Sequence, residues 1–349
     1  MRRLLIAGLI LLSPSVAQAE ITVDGRTIEV IDPHLHPSTF GRIPENGRGF
    51  IAQGLPPFAR LYAPALIDRL LDPWSPHIGI RAQTDWGGVD HVLLLAVYTQ
   101  FTTGYLENAA LDEMLCAPDN DDGWARGLVS IRFDDWSEDN LTHLESWIEA
   151  HPTRISGIKL AHAHQAVTFD DPEFLGVYDV ASRQGVPVLL HTGFSPFPGS
   201  QTEPEYYDPS GLEAVIEAYD GTRGVDRVDF VLSHVGQGDA RSVLHALELA
   251  ERHDNVFLEL SALGRPLLID EAGELVDASE PQYAWVLPEV LERGLVEQTM
   301  FATDGPQFSG FVRRYVNEIV AGMQEAGYSV DQIEQVMGAT ARGLFFRDR

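Results

Sequence analysis

Eight short apolar, β-branched runs recur along this 349-residue chain, and segments of helical period separate most of them. The runs are 28–32 (IEVID), 91–97 (HVLLLAV), 127–133 (GLVSIRF), 155–161 (ISGIKLA), 187–192 (PVLLHT), 228–234 (VDFVLSH), 255–261 (NVFLELS) and 299–304 (TMFATD). Most are apolar nearly throughout, as expected of parallel strands covered on both faces. Helices are expected at 105–116, 138–150, 172–184, 211–219, 239–253, 282–293 and 308–326, with terminal helices near 329–336 and 339–346. This alternation predicts an α/β fold, a (β/α)8 TIM barrel, with a doubly wound open sheet as the alternative. Residues 37–90 exceed an ordinary βα connection. Their Pro/Gly density (GLPPFARLYAP, DPWSPH) predicts an insertion after the first strand, folding over the mouth of the barrel.

The first residues read as an export signal. Arg2 and Arg3 precede an apolar run from Leu4 to Leu12, and Ala17-Gln18-Ala19 makes a small-residue cleavage site. That run is far shorter than the roughly 20 residues a spanning helix needs. Residues 1–19 are therefore expected to be removed, leaving 20–349 as one barrel domain with no stable membrane anchor. Cys116 is the only cysteine, so no intramolecular disulfide forms; a periplasmic or secreted location fits. With 24 basic and 52 acidic residues the net charge is −28, which excludes nucleic acid and anionic membrane surfaces as partners. A small-molecule substrate remains, and a homo-oligomer is compatible with the sequence.

The 12 histidines are not scattered. His34 and His36 follow the first expected strand two residues apart, a spacing that turns both rings to one side of an extended chain. His162 and His164 follow the fourth strand, His191 ends the fifth, His234 the sixth and Asp304 the eighth. Barrel active sites lie at these C-terminal strand ends. Imidazoles and a carboxylate converging there suit a divalent ion with an open coordination position, and such an ion supplies hydroxide at neutral pH. Arg132, Tyr98, Gln100, Glu259 and the loop 195–209 are weaker candidates near the mouth. Lys159 is the only lysine in the chain. It shares a strand face with Gly157 and Ala161, and that face is expected to point into the barrel, because an ammonium is costly to bury among outer helices.

The order of HLH at 34–36, GIKL at 157–160, VLLHTG at 188–193, VLSHVG at 231–236 and FATDGP at 301–306 resembles the amidohydrolase superfamily. It is most similar to the amidohydrolase-related branch of metal-dependent hydrolases, lactonases and non-oxidative decarboxylases. MGATARGLFF at 337–346 is similar to that branch's closing helix, with Thr340 where asparagine is usual. The resemblance implies that His34, His36, His191 and Asp304 bind a metal, that His234 acts as an acid/base or polarising group, and that Asp304 also accepts the proton of the metal's water. In two-metal members a carboxylated lysine bridges the ions, a role Lys159 matches. The branch favours one ion, zinc first and manganese or iron as alternatives. The expected function is an exported hydrolase attacking an amide, ester or lactone carbonyl with metal-bound hydroxide, with catalytic Asp304, His234 and Lys159. The alternatives are a decarboxylase of a small unsaturated or aromatic acid, or a non-catalytic periplasmic binding protein.

Overall fold

The computed structural model describes residues 19–347 apart from 54, 77 and 223–226; the expected export signal, Ala19 excepted, lies outside the described residues. Among those residues no helix is long and apolar enough to cross a membrane.

Eight parallel strands pair in chain order. They are β1 (Ile31–Leu35), β2 (His91–Leu95), β3 (Ala125–Val129), β4 (Ile155–Leu160), β5 (Val188–His191), β6 (Phe230–Ser233), β7 (Val256–Glu259) and β8 (Thr299–Met300). The expected barrel is therefore present, wrapped by helices such as Glu138–Ala150, Ala240–Arg252 and Phe311–Ala326. Its seam is unlike its other joints. No continuous ladder joins β1 to β8; a single parallel bridge links Leu35 to Gly305, and His36 N–H donates to the Gly305 carbonyl at 2.9 Å. The Asp32 carboxylate completes the closure by accepting from Thr303 N at 3.1 Å and Thr303 Oγ1 at 2.6 Å.

The first strand lies further along than its apolar run implies. Arg26–Ile28 pairs antiparallel with Ile21–Val23 around an Asp24-Gly25 turn in which both residues have positive φ. β1 begins only where Ile31 and Asp32 meet His91 and Val92 of β2. His34 is consequently a residue within the strand, not one beyond it. The 37–90 segment carries helices Glu45–Gln53, Ala63–Leu71 and Ile80–Gly87. The last packs against Phe311–Ala326 and so belongs to the outer ring of the barrel.

Side-chain alternation divides the strands between two cores. On β2, Leu93 and Leu95 join a small inner cluster with Ile31, Leu128, Leu189, Val231 and Met300, while Val92 and Leu94 face the helices. The helix Thr340–Phe345 contributes Ala341, Leu344 and Phe345 to the same inner cluster. On β4, Ile158 and Leu160 belong to the outer core, which turns Lys159 inward as expected.

Thr340 is buried at the start of that closing helix. Its hydroxyl accepts from Gln335 Nε2 at 3.0 Å and lies 3.2 and 3.3 Å from the carbonyls of Gln335 and Glu297. Thr340→Val keeps the shape and strands these partners. It is expected to cost about 1–2 kcal/mol, read as a melting temperature a few degrees lower at unchanged secondary structure.

Candidate active site

Three donor atoms crowd together where β1 and β8 end. His34 Nε2 lies 3.0 Å from His36 Nε2, and Asp304 Oδ1 lies 3.4 Å from the first and 3.2 Å from the second. The His234 ring centroid is 5.1 Å from that of His34, and one ligand atom from each of His34, His234 and Asp304 falls within 4.8 Å of the others. His191 stands 4.9 Å from His234 and 4.7 Å from His164, centroid to centroid. The geometric cluster thus includes His234, which the resemblance set apart as an acid/base, and reaches His191 through it.

Glu259 and Ser261 orient this group from β7 and the residues just after it. Glu259 Oε2 lies 2.8 Å from His34 Nδ1, which assigns the proton to Nδ1 and leaves the Nε2 lone pair facing His36 and Asp304. Ser261 Oγ donates to the same Oε2 at 3.0 Å and therefore accepts from His234 Nδ1 at 2.7 Å, which likewise leaves His234 Nε2 as a free acceptor. Lys159 Nζ sits 3.3 Å from Ser233 Oγ and 3.4 Å from His34 Nε2.

Burial dominates the electrostatics. It holds His34 and His191 well below the ordinary imidazole range and brings His234 down to about 3 and His164 to about 4. Burial thus favours the neutral form of all four rings, the form that binds metals. Burial also lowers Lys159 to about 8, against the pull of Glu259 and Asp304, and pushes the Glu259 carboxyl up. Asp304 goes the other way. Burial alone would raise it, but the hydrogen bond with His36 heads the interactions that carry it well below the usual carboxylate range.

The backbone accommodates the site at a cost. His234 (φ 67°), Val235 (φ 49°) and Asp304 (φ 59°) all occupy the left-handed region, worth roughly 1–3 kcal/mol of strain per residue. Gly193, two residues after His191, has φ 87°, and a Cβ there would come within 2.3 Å of Gln237 N. The glycine of VLLHTG is thus required where the loops after β5 and β6 touch.

Five of the six histidines expected at the mouth line one cavity of about 690 Å³, together with Lys159 and Asp304. His162 does not. It is buried between Phe133 and Phe169, because the short helix His162–Gln165 after β4 turns it away from its neighbour His164. Arg132, Tyr98 and Gln100 are occupied elsewhere: Arg132 and Gln100 bind Asp134, and the Tyr98 hydroxyl accepts from Asn108 N. The loop 195–209 contributes Ser195, Pro196 and Phe197 to the cavity wall. Sequence reasoning missed Asp32, Ser233 and Ser261. Asp32 had a signal, standing two residues before His34 on an extended chain.

The amidohydrolase family model matches residues 31–347, a span that takes in His34, His36, Lys159, His191, His234 and Asp304. The chain belongs to the amidohydrolase family. Among curated proteins, none matches this amidohydrolase in sequence. Solved structures do match its fold. An uncharacterized TIM-barrel protein from Bordetella bronchiseptica is 15% identical, with TM-score 0.64, over 91% of this chain and 98% of that one. A putative 2-pyrone-4,6-dicarboxylic acid hydrolase from Pseudomonas putida is 18% identical, with TM-score 0.55, over 91% and 98%. A dihydroxybenzoic acid decarboxylase from Polaromonas, solved with bound manganese and 2-nitroresorcinol, is 16% identical, with TM-score 0.57, over 92% and 98%. At these identities the likeness is one of fold.

Proposed function

We propose that this amidohydrolase is an exported, metal-dependent hydrolase of an amide, ester or lactone carbonyl. One observation carries the reading: donor atoms of His34, His36 and Asp304 converge 3.0–3.4 Å apart on the wall of a substrate-sized cavity. The start of the sequence, Arg2-Arg3 through Ala17-Gln18-Ala19, supports export.

The donor set fits a divalent ion. Four ligands on a tetrahedral ion with bonds of about 2.0–2.1 Å stand about 3.3 Å apart, and His34, His36 and Asp304 are spaced 3.0–3.4 Å. His191 Nε2 is buried without a partner, a polar atom that folding would not ordinarily leave unused. His34, His36, His191 and Asp304 would hold the ion, with His234 beside them. Such an ion lowers the pKa of a water it binds and polarises a substrate carbonyl. The remaining work falls to the chain. Asp304 accepts the proton of the attacking water and returns it to the leaving group. His234 orients that water through its unprotonated Nε2, and the Lys159 ammonium supplies positive charge toward the developing oxyanion. Metal analysis followed by a screen of lactones, esters and amides tests this reading. Carbon dioxide release without incorporation of labelled water would establish decarboxylation in its place.

Lys159 distinguishes one ion from two. Its Nζ stands 3.3 Å from Ser233 Oγ and 3.4 Å from His34 Nε2, contacts made by the unmodified side chain. One ion per chain is expected, with Lys159→Ala retaining it. Two ions, one of them lost in Lys159→Ala, would show the bridged form.

A further inference from the structure

Above the polar floor formed by the histidines, Lys159 and Asp304, the cavity wall is mainly apolar. Glu45–Gln53 supplies Phe50, Ala63–Leu71 supplies Ile67, Leu70 and Leu71, and the loop after β7 supplies Leu268. The first four are side chains of the segment 37–90, which follows the first strand. Phe50 packs on Phe197 from the opposite loop at 4.9 Å, so the apolar wall continues across the cavity. Cations are scarce. Lys159 and Arg265 are the lysine and arginine among the described lining residues, and Lys159, on the polar floor, serves the reacting carbonyl. Only Arg265 remains to meet a charged substituent, whereas a dicarboxylate taken from water needs a cation for each charge it buries. The chain's net charge of −28 adds repulsion for any polyanion. The same covering segment leaves Phe58, Leu61 and Tyr62 exposed, which continues the apolar character outside the cavity.

We propose that the substrate is a hydrophobic carbonyl compound, an ester, lactone or amide whose alkyl or aryl tail lies along the wall made by Phe50, Ile67 and Leu70 while its carbonyl reaches Asp304. This narrows the hydrolase reading above and rests on it for the chemistry, but the wall is testable without turnover. With metal-loaded protein, kcat/KM across 4-nitrophenyl esters from butyryl to dodecanoyl is expected to rise roughly two- to fourfold per methylene until the wall is filled. Leu70→Gln, or the milder Phe50→Ser if the first fails to fold, is expected to lower the ratio of dodecanoyl to butyryl turnover at least tenfold. Preference for a dicarboxylated lactone, or a flat chain-length profile, would overturn the proposal. If no carbonyl substrate is turned over, the hydrolase reading fails by itself, and displacement of Nile red by n-alkanols then decides the wall. Affinity rising with alkanol length, and losing that rise in Leu70→Gln, sustains the apolar class; affinity independent of length refutes it.

Discussion

Asp304→Ala is expected to abolish metal retention and lower kcat/KM by about a thousandfold or more, the equivalent of about 4 kcal/mol of lost transition-state stabilisation. Two losses combine in this variant. The carboxylate is the only anion among the donor atoms clustered with His34 and His36, so its removal leaves neutral imidazoles to hold a dication. The proton acceptor disappears with it. Asp304→Asn separates the two, because the amide keeps an oxygen ligand yet cannot take up a proton at neutral pH. It is expected to retain part of the metal and to lose turnover almost as completely. His143→Ala, on the outer helix Glu138–Ala150, serves as the control and should alter neither metal content nor rate. Full activity of Asp304→Ala after chelation would remove the basis of the proposed mechanism.

Asp32→Ala is expected to destabilise the fold by about 3 kcal/mol or more, since it strands up to three buried donors at about 1–3 kcal/mol each. Those donors are Thr303 N, Thr303 Oγ1 and His34 N, which bring together β1 and the segment after β8 at the seam that lacks a continuous ladder. A drop of roughly 4 °C or more in melting temperature corresponds to that cost in a chain of this size. The distinctive consequence concerns the site. His34 and Asp304 lie on opposite sides of the seam, so the variant should bind metal more weakly even at temperatures where it is fully folded. Unchanged metal affinity together with unchanged stability would mean that the bridge between Leu35 and Gly305 closes the barrel unaided.

The barrel was legible because its causes are local and periodic. Long apolar runs separated by helical patterns specify doubly covered parallel strands, and all eight appear in chain order. The helix at 138–150 was read to the residue as Glu138–Ala150, since its apolar period is a property of neighbouring residues. The start of β1 was not. Residues 28–32 are apolar enough for a strand, but an Asp24-Gly25 turn commits Arg26–Ile28 to a hairpin, and partners distant in the chain decided the outcome.

The same division runs through the site. The sequence by itself determined the ligand-type side chains and their level in the barrel, because His34, His36, His191, His234 and Asp304 are each tied to a strand end that patterning locates. It also turned Lys159 inward, since alternation along β4 leaves one polar position among apolar neighbours. Only the tertiary structure decided that His164 joins the cavity while His162 packs under Phe133 and Phe169, because a single turn of helix after β4 points adjacent histidines in different directions. It alone chose the tautomers of His34 and His234, through Glu259 at the end of β7 and Ser261 just after it, both more than 200 residues from His34. It alone assigned Asp32 to the seam. A strand pattern constrains which face a side chain occupies; which partner waits on that face depends on how the sheet closes, and closure is a property of the whole chain.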